Sequence, residues 1–299
     1  MLNSMQKIKI NIIGAGIVGK TIARLIHQSN IAEISSVVNT SLDNAKNSVD
    51  FIGAGIPITQ IDDLCKADIN IIATHENQIE NICREAVDSK VFLKGSIVLH
   101  LSGALDSTVL LTAKNYGCHT ARIHPIKHMH NPIEAVQTFR EVYSVYQGDE
   151  ECYETLKTIF EKIGSIIIKM QLGSSSDCYH TAGVFSLSYP QILVATASKL
   201  YESCGIKRQD ALRLSIELAK SAVDSLKNKN EYHEFIEGPI KRLDSYYINK
   251  NKQSIQHDSD ISMVYDSLAL LGLAMTNHTD EMKDKVKILL TKNNSVDVC

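Results

Sequence analysis

One segment constrains this chain more than any other. A short, mostly apolar run over residues 8–13 passes directly into Gly14-Ala15-Gly16-Ile17-Val18-Gly19. Bounded by glycine, the run reads as a buried strand, and the residues after Ile17 show helical spacing with Ile22, Leu25 and Ile26 on one face. A strand that turns through GxGxxG into a helix is the start of a doubly wound sheet. Each glycine has its own physical task. Gly14 permits the tight turn, Gly16 lets a pyrophosphate approach the backbone, and Gly19 lets helix and strand pack closely, with the helix N-terminus facing the phosphates. Gly14, Ala15, Gly16, Ile17, Val18 and Gly19 are therefore candidate dinucleotide-binding residues. The alternative is a glycine turn with a purely structural role.

The end of the second expected strand, Ile34–Val38, bears on cofactor choice. An NAD site usually places an acidic residue there to bond the ribose hydroxyls. This chain has Asn39-Thr40-Ser41, and its nearest cation is Lys46. An uncharged turn does not repel a 2′-phosphate, so NADP is preferred over NAD. Ala73-Thr74-His75 closes a further strand on the edge that borders the ligand crevice in such sheets. His75 there either touches the cofactor or lies in an exposed helix-start loop with Asn77 as the cap. His100-Leu101-Ser102-Gly103 closes another strand and admits the same two readings.

Apolar runs at 69–73, 97–101, 120–123, 143–146 and 166–170 alternate with helical patterns at about 77–87, 107–115 and 150–163. This predicts an α/β fold with a mostly parallel sheet. After the polar turn at 173–176 no strand pattern remains. Helical spacing covers 177–203, with a kink expected at Pro190, then 208–226, 258–277 and 280–292. The expected organisation is a nucleotide-binding domain over 1–172 and an all-helical domain over 173–299.

The formal net charge of −3 argues against nucleic-acid or anionic-membrane partners, which need clustered positive charge. No apolar stretch approaches the roughly 18 residues of a membrane span. No secretory signal is read at the N-terminus, where Lys7 and Lys9 lead into Ile10 and the run soon ends in glycine. Seven cysteines, at 65, 83, 118, 152, 178, 204 and 299, form no CxxC pair. Free thiols in a reducing cytoplasm are expected.

His119, His124, His128 and His130 crowd one stretch, which Pro125 and Pro132 mark as loop. No cysteine or carboxylate at familiar spacing completes a zinc set, so no metal is expected. Tyr153 and Lys157 spell YxxxK, but on an amphipathic helix that closes the first domain, where a solvated face is the expectation. Tyr179-His180 opens the helical part within an apolar stretch. His180 is either a hydrogen-bonded core residue or a proton donor facing the crevice between domains.

Taken together, His100-Leu-Ser-Gly103, His124-Pro125, Tyr179-His180-Thr-Ala-Gly-Val-Phe185 and Gly238-Pro-Ile-Lys-Arg-Leu-Asp244 resemble the bacterial proteins that join a Rossmann-like domain to the domain called DUF2520. The glycine loop resembles that of the 6-phosphogluconate-dehydrogenase-like superfamily, which includes pyrroline-5-carboxylate and ketopantoate reductases. The resemblance spans nearly the whole chain. It implies an NAD(P)-dependent oxidoreductase acting on a small carbonyl, imine or hydroxy acid at the interdomain cleft, and a homodimer formed through the helical domain. Under that reading His180 is the proton donor, His124 the second candidate, and Ser102 bonds substrate or cofactor amide. Arg242 pairs with Asp244 or holds an anionic substrate. The rival reading is a dinucleotide-binding redox sensor or scaffold dimer without turnover. Relatives tend to carry Gly-Asp where this chain has Leu243-Asp244, so a different turn is expected there.

Overall fold

The structure, a computed structural model, describes residues 7–291. Cys299 and the last residue of the helix expected at 280–292 lie outside that range. The chain divides into two compact units, the first ending at Gly183 and the second beginning at Val184.

The first unit is built on one eight-stranded sheet. In chain order its elements are β1 (Lys9–Ile13), α1 (Ile17–Ser29), β2 (Glu33–Val38), α2 (Leu42–Ile52), β3 (Ile56–Ile58), β4 (Ile69–Ile72), α3 (Glu76–Asp88) and β5 (Ile97–His100). These are followed by α4 (Leu111–Tyr116), β6 (His119–Pro125), α5 (Pro132–Gln137), β7 (Val142–Gly148), α6 (Tyr153–Lys162), β8 (Ser165–Lys169) and α7 (Ser176–Gly183). The strand order is β3-β2-β1-β4-β5-β6-β7-β8. All pairs are parallel except β6 with β7, where Ala121 faces Gly148 and Pro125 faces Ser144. The chain crosses from one half of the sheet to the other between β1 and β4, and ligand crevices form at such a reversal.

The apolar strands follow from burial on both faces. Ile12, Ile71 and Leu99 belong to one core cluster, with Ile22 and Phe160. Their sequence neighbours Ile13, Ile72 and Val98 belong to the cluster on the other face, with Ile79 and Phe92. Because successive side chains point to opposite faces, a strand covered on both sides must be apolar nearly throughout.

The expected strands and helices of this unit are present, together with three elements that the sequence pattern does not predict. Helix α2 is capped by Ser41, whose hydroxyl accepts from Asn44 N–H (3.3 Å), and it stops at Gly53 with φ 86°. The three-residue β3 follows. The stretch around Pro132, read as loop, contains α5. There Asn131 accepts from Ile133 N–H (2.8 Å) and proline occupies the first turn, where its missing N–H costs nothing.

The second unit is helical: α8 (Tyr189–Ser203), α9 (Arg208–Asp224), α10 (Gly238–Lys241), α11 (Ser245–Ile255), α12 (Ser259–Met275) and α13 (Asp280–Thr291). The stretch expected as a helix over 177–203 is in helical turns throughout, divided into α7, a π-helical turn and α8. A π-helical turn over Val184–Ser188 precedes α8, and Pro190 sits in the first turn of α8. Leu243 has φ 55°. The turn thus keeps a left-handed conformation of the kind glycine favours, with leucine in its place. Asp244 caps α11, accepting from Tyr247 N–H (3.1 Å), in place of the pairing with Arg242. Among the described residues, no helix is long and apolar enough to cross a membrane.

Candidate active site

The glycine loop is held from below and left open above. Gly14 has φ 86°, and a Cβ on it would lie 2.3 Å from Thr74 Cγ2. A Cβ on Gly19 would lie 2.6 Å from the Gly14 carbonyl oxygen and 2.9 Å from Ala73 Cβ. Both glycines are demanded by the protein's own packing. Gly16 differs, since a Cβ there would meet nothing within 4 Å. It also forms the N-cap of α1 without any side-chain cap, and the first turn carries no acidic residue. The helix ladder begins with Lys20 N–H donating to Gly16 O (3.1 Å), which leaves the N–H groups of Ile17, Val18 and Gly19 ahead of it. These features suit an anionic group approaching the backbone at Gly16.

Two cavities meet at this loop. One, of about 800 Å³, is lined by Gly14, Gly16, Ile17, Asn39, Thr40 and Ile61 among others. The second, of about 570 Å³, is lined by Glu76, Leu101, Ser102, Gly103, His124 and Lys127 among others. Val18, Ala73, Thr74 and His75 line both. The ends of β1, β2, β4, β5 and β6 thus supply their walls.

Asn39 and Ser41 are engaged within the protein. The Asn39 amide donates to Ser48 Oγ (3.1 Å), and Ser48 Oγ donates to the Ala15 carbonyl (3.3 Å), tying the glycine loop to α2. Ser41 caps α2 and does not line the cavity, whereas Thr40 does. His75, not Asn77, is the N-cap of α3, and its side chain makes no capping bond.

Ser102 is anchored on all sides. Its hydroxyl donates to Glu76 Oε1 (2.6 Å) and accepts from the N–H groups of Ala104 (3.0 Å) and Leu105 (3.2 Å). His100 beneath it is buried. Ser102 N–H donates to Nδ1 (3.2 Å), so Nε2 carries the proton and donates to the Asp106 carbonyl (3.0 Å). Burial lowers the His100 pKa to about 4, and the Arg122 charge pushes the same way. His100 is therefore a neutral, structural residue.

His124 lies 2.8 Å through Nδ1 from the Tyr179 hydroxyl, with the two rings edge to face. Burial, then the nearby Arg122 charge, lowers its pKa to about 4 as well. Arg122 is fully buried and has no carboxylate partner. Nη1 donates to the Leu105 carbonyl (2.9 Å), Nη2 reaches Met170 Sδ (3.5 Å), and Nε has no partner. Its guanidinium carbon stands 4.7 Å from the centre of the Tyr179 ring. His180, the leading candidate in the sequence, is exposed and lines neither cavity.

The His128 and His130 ring centres lie 3.8 Å apart with the rings tilted by 59°, and among the described residues no three His, Cys, Asp or Glu side chains could hold a metal. Tyr153 is half-buried against Tyr146 (4.9 Å between ring centres) and carries Lys169 over its ring, so its face of α6 is packed, not solvated. The sequence reading gave Glu76 and Tyr179 no role at the site and did not single out Arg122. Arg122 offered one signal, a lone cation inside an apolar strand.

The fold and these strand-end cavities define a Rossmann-like domain followed by a helical domain. Residues 3–125 match the Rossmann-like domain family and residues 142–271 match the domain of unknown function DUF2520. The chain thus matches these two domain models in this order. Solved structures agree in fold. A protein from Thermotoga maritima superposes with a TM-score of 0.67 at 20% identity, covering 93% of this chain and 99% of its own. An imine reductase from Myxococcus stipitatus in complex with NADP+ gives 0.63 at 15% identity, covering 94% of each. A pyrroline carboxylate reductase from Plasmodium falciparum with NADP bound gives 0.56 at 15% identity, covering 96% and 100%. No curated protein matches the chain in sequence.

Proposed function

We propose that this protein is an NAD(P)-dependent reductase of a small carbonyl or imine compound, working equally in reverse on a hydroxy acid or amine. One observation carries the reading: the cavity at the glycine loop and the cavity at His124 share the wall Val18, Ala73, Thr74 and His75. A dinucleotide held along the first would bring its far end toward the second. The similar folds of an imine reductase and a pyrroline carboxylate reductase, both with NADP bound, support the assignment. A bound nicotinamide dinucleotide supplies a hydride. The chain's own part is to hold the diphosphate at Gly16 and the α1 N-terminus, to place the acceptor beside His124, and to shape the wall through Ser102 and Glu76.

NADP is preferred, because the turn after β2 carries no carboxylate and Thr40 lines the cavity. Calorimetric titration with NADPH and NADH tests this, and tighter NADH binding overturns it. Turnover is tested by NADPH oxidation with methylpyrroline, cyclohexanone and pyruvate as acceptors. Tight cofactor binding without turnover of any of them favours the redox-sensor reading.

We also infer a homodimer through the helical unit. Ile192 and Leu193 on α8, Leu212 and Ile216 on α9, and Leu268 and Leu271 on α12 are all exposed. A small helical unit with this much uncovered apolar surface calls for a partner, and a second copy covers the same patch on both chains. Sedimentation should show a dimer, and a monomer at micromolar concentration removes the inference. The six described cysteines are all free, which suits a cytoplasmic location.

A further inference from the structure

We propose that Tyr179 is the proton source for the reduced substrate and acts through His124, with Arg122 stabilising the charge left behind. The proposal rests on the reductase reading above and extends it to residues the sequence had not singled out for this role. Three observations support it. The Tyr179 hydroxyl is 2.8 Å from His124 Nδ1 and has no other hydrogen-bond partner among the described residues. His124 lines the second cavity, and its Nε2 makes no hydrogen bond within the described residues. Beneath them Arg122 is buried with no salt bridge to a carboxylate, Asp106 acting on it only through space, and lies 4.7 Å from the Tyr179 ring.

A buried guanidinium without a carboxylate is expensive to maintain. Its position becomes intelligible if a negative charge forms transiently on the ring above it. The same cation opposes protonation of His124, so the imidazole works as a neutral relay and not as an imidazolium acid. With Tyr179 O–H donating to Nδ1, the imidazole proton must sit on Nε2.

The step balances as follows. As the substrate carbon is reduced, the electron pair of its C=O or C=N π bond moves to oxygen or nitrogen and takes the Nε2 proton. The electrons of that N–H bond stay in the ring. Nδ1 takes the phenolic proton, and the phenolate is held over Arg122 until solvent reprotonates it. Tyr179 is in this sense a positioning residue that also feeds the relay, while His124 touches the substrate.

The test begins without substrate. Nitrogen NMR of the full chain labelled at histidine, at pH 7 with and without NADP+, should show His124 neutral with its proton on Nε2. A proton on Nδ1, or an imidazolium, overturns the relay. The second arm uses whichever of methylpyrroline, cyclohexanone and pyruvate the wild type reduces. Tyr179→Phe keeps the ring over Arg122 and should lower kcat about tenfold or more, with KM and the NADPH dissociation constant within twofold. A loss confined to KM, or none, overturns the proposal. Turnover with His124 in the wrong tautomer sinks the relay alone. No turnover of any acceptor by the wild type sinks the reductase reading and the relay with it.

Discussion

Gly103 stands against the edge of the His124 ring, so that a Cβ on Gly103 would lie 2.6 Å from Cε1 and 2.7 Å from Nε2. The contact explains why the loop after β5 carries glycine although its backbone does not need a left-handed conformation. Gly103→Ala should push the imidazole aside. The expected outcome is a loss of about 1–2 kcal/mol in urea unfolding and at least a tenfold fall in turnover, with cofactor affinity unchanged. In the background of His124→Ala the same substitution should cost little stability, because the obstructing ring is gone. Equal stability losses in both backgrounds would show that the ring is not what excludes the methyl group.

The glycines of the first loop should separate stability from binding. Gly14→Ala meets both a positive φ and Thr74, and should destabilise the protein by about 2 kcal/mol or more. Gly16→Ala meets nothing, and should change unfolding by less than about 0.5 kcal/mol. Its methyl group would project where the diphosphate approaches, so NADPH affinity should drop tenfold or more by titration. Unchanged affinity in Gly16→Ala would remove the pyrophosphate from this loop.

Stability should fall on mild acidification. His100 binds a proton at about 4 when folded, against an ordinary value near 6.5 when unfolded. Between these values the unfolded chain holds more protons, so the free energy of unfolding decreases as pH drops from about 6.5 to about 4. The loss amounts to as much as about 3 kcal/mol for this residue. Urea titrations of wild type and His100→Asn between pH 7.5 and 4.5 check it. His100→Asn should start less stable at pH 7.5 and show a shallower decline. Parallel curves would mean that His100 does not carry the acid sensitivity.

Arg122 should be audible in its neighbours' titrations. Its charge lowers the pKa of both His100 and His124, after burial. Arg122→Met removes the charge and keeps much of the volume, so both imidazoles should titrate higher in a proton NMR series. Unshifted histidine resonances in a folded Arg122→Met protein would contradict the electrostatic coupling.

The sheet was legible because β1, β4 and β5 are covered on both faces, and such strands must be written in isoleucine, valine and leucine. The glycine loop was legible because three backbone requirements fall at fixed offsets. Helix α5 was not, because its six residues are too few to establish a period. The Asn131-Pro132 start is its signature, and proline marks a loop as readily as a first helical turn. The antiparallel turn of β7 left no trace either, since strand direction is not encoded in local apolarity. The site was half visible. Strand-end residues such as Thr74, His75, Ser102 and His124 could be placed on one edge from topology. The partnership of His124 with Tyr179 and Arg122 joins segments 55 residues apart, and spacing alone does not reveal such a meeting.

The reversal of β7 has a consequence for the length of the chain that follows it. Since β7 and β8 run against β6, β8 runs away from the edge where His124 lies, and its last residue, Lys169, sits level with Ile123 by way of Tyr146. The residues between Lys169 and Ser176 must then carry the chain back until α7 presents Tyr179 to His124. That short connection acts as a measuring rod. Removing one residue within α7 ahead of Tyr179 would turn the ring about 100° around the helix axis and break its alignment without touching either cavity. In this protein the alignment of that hydrogen bond is set by a count of residues along the chain.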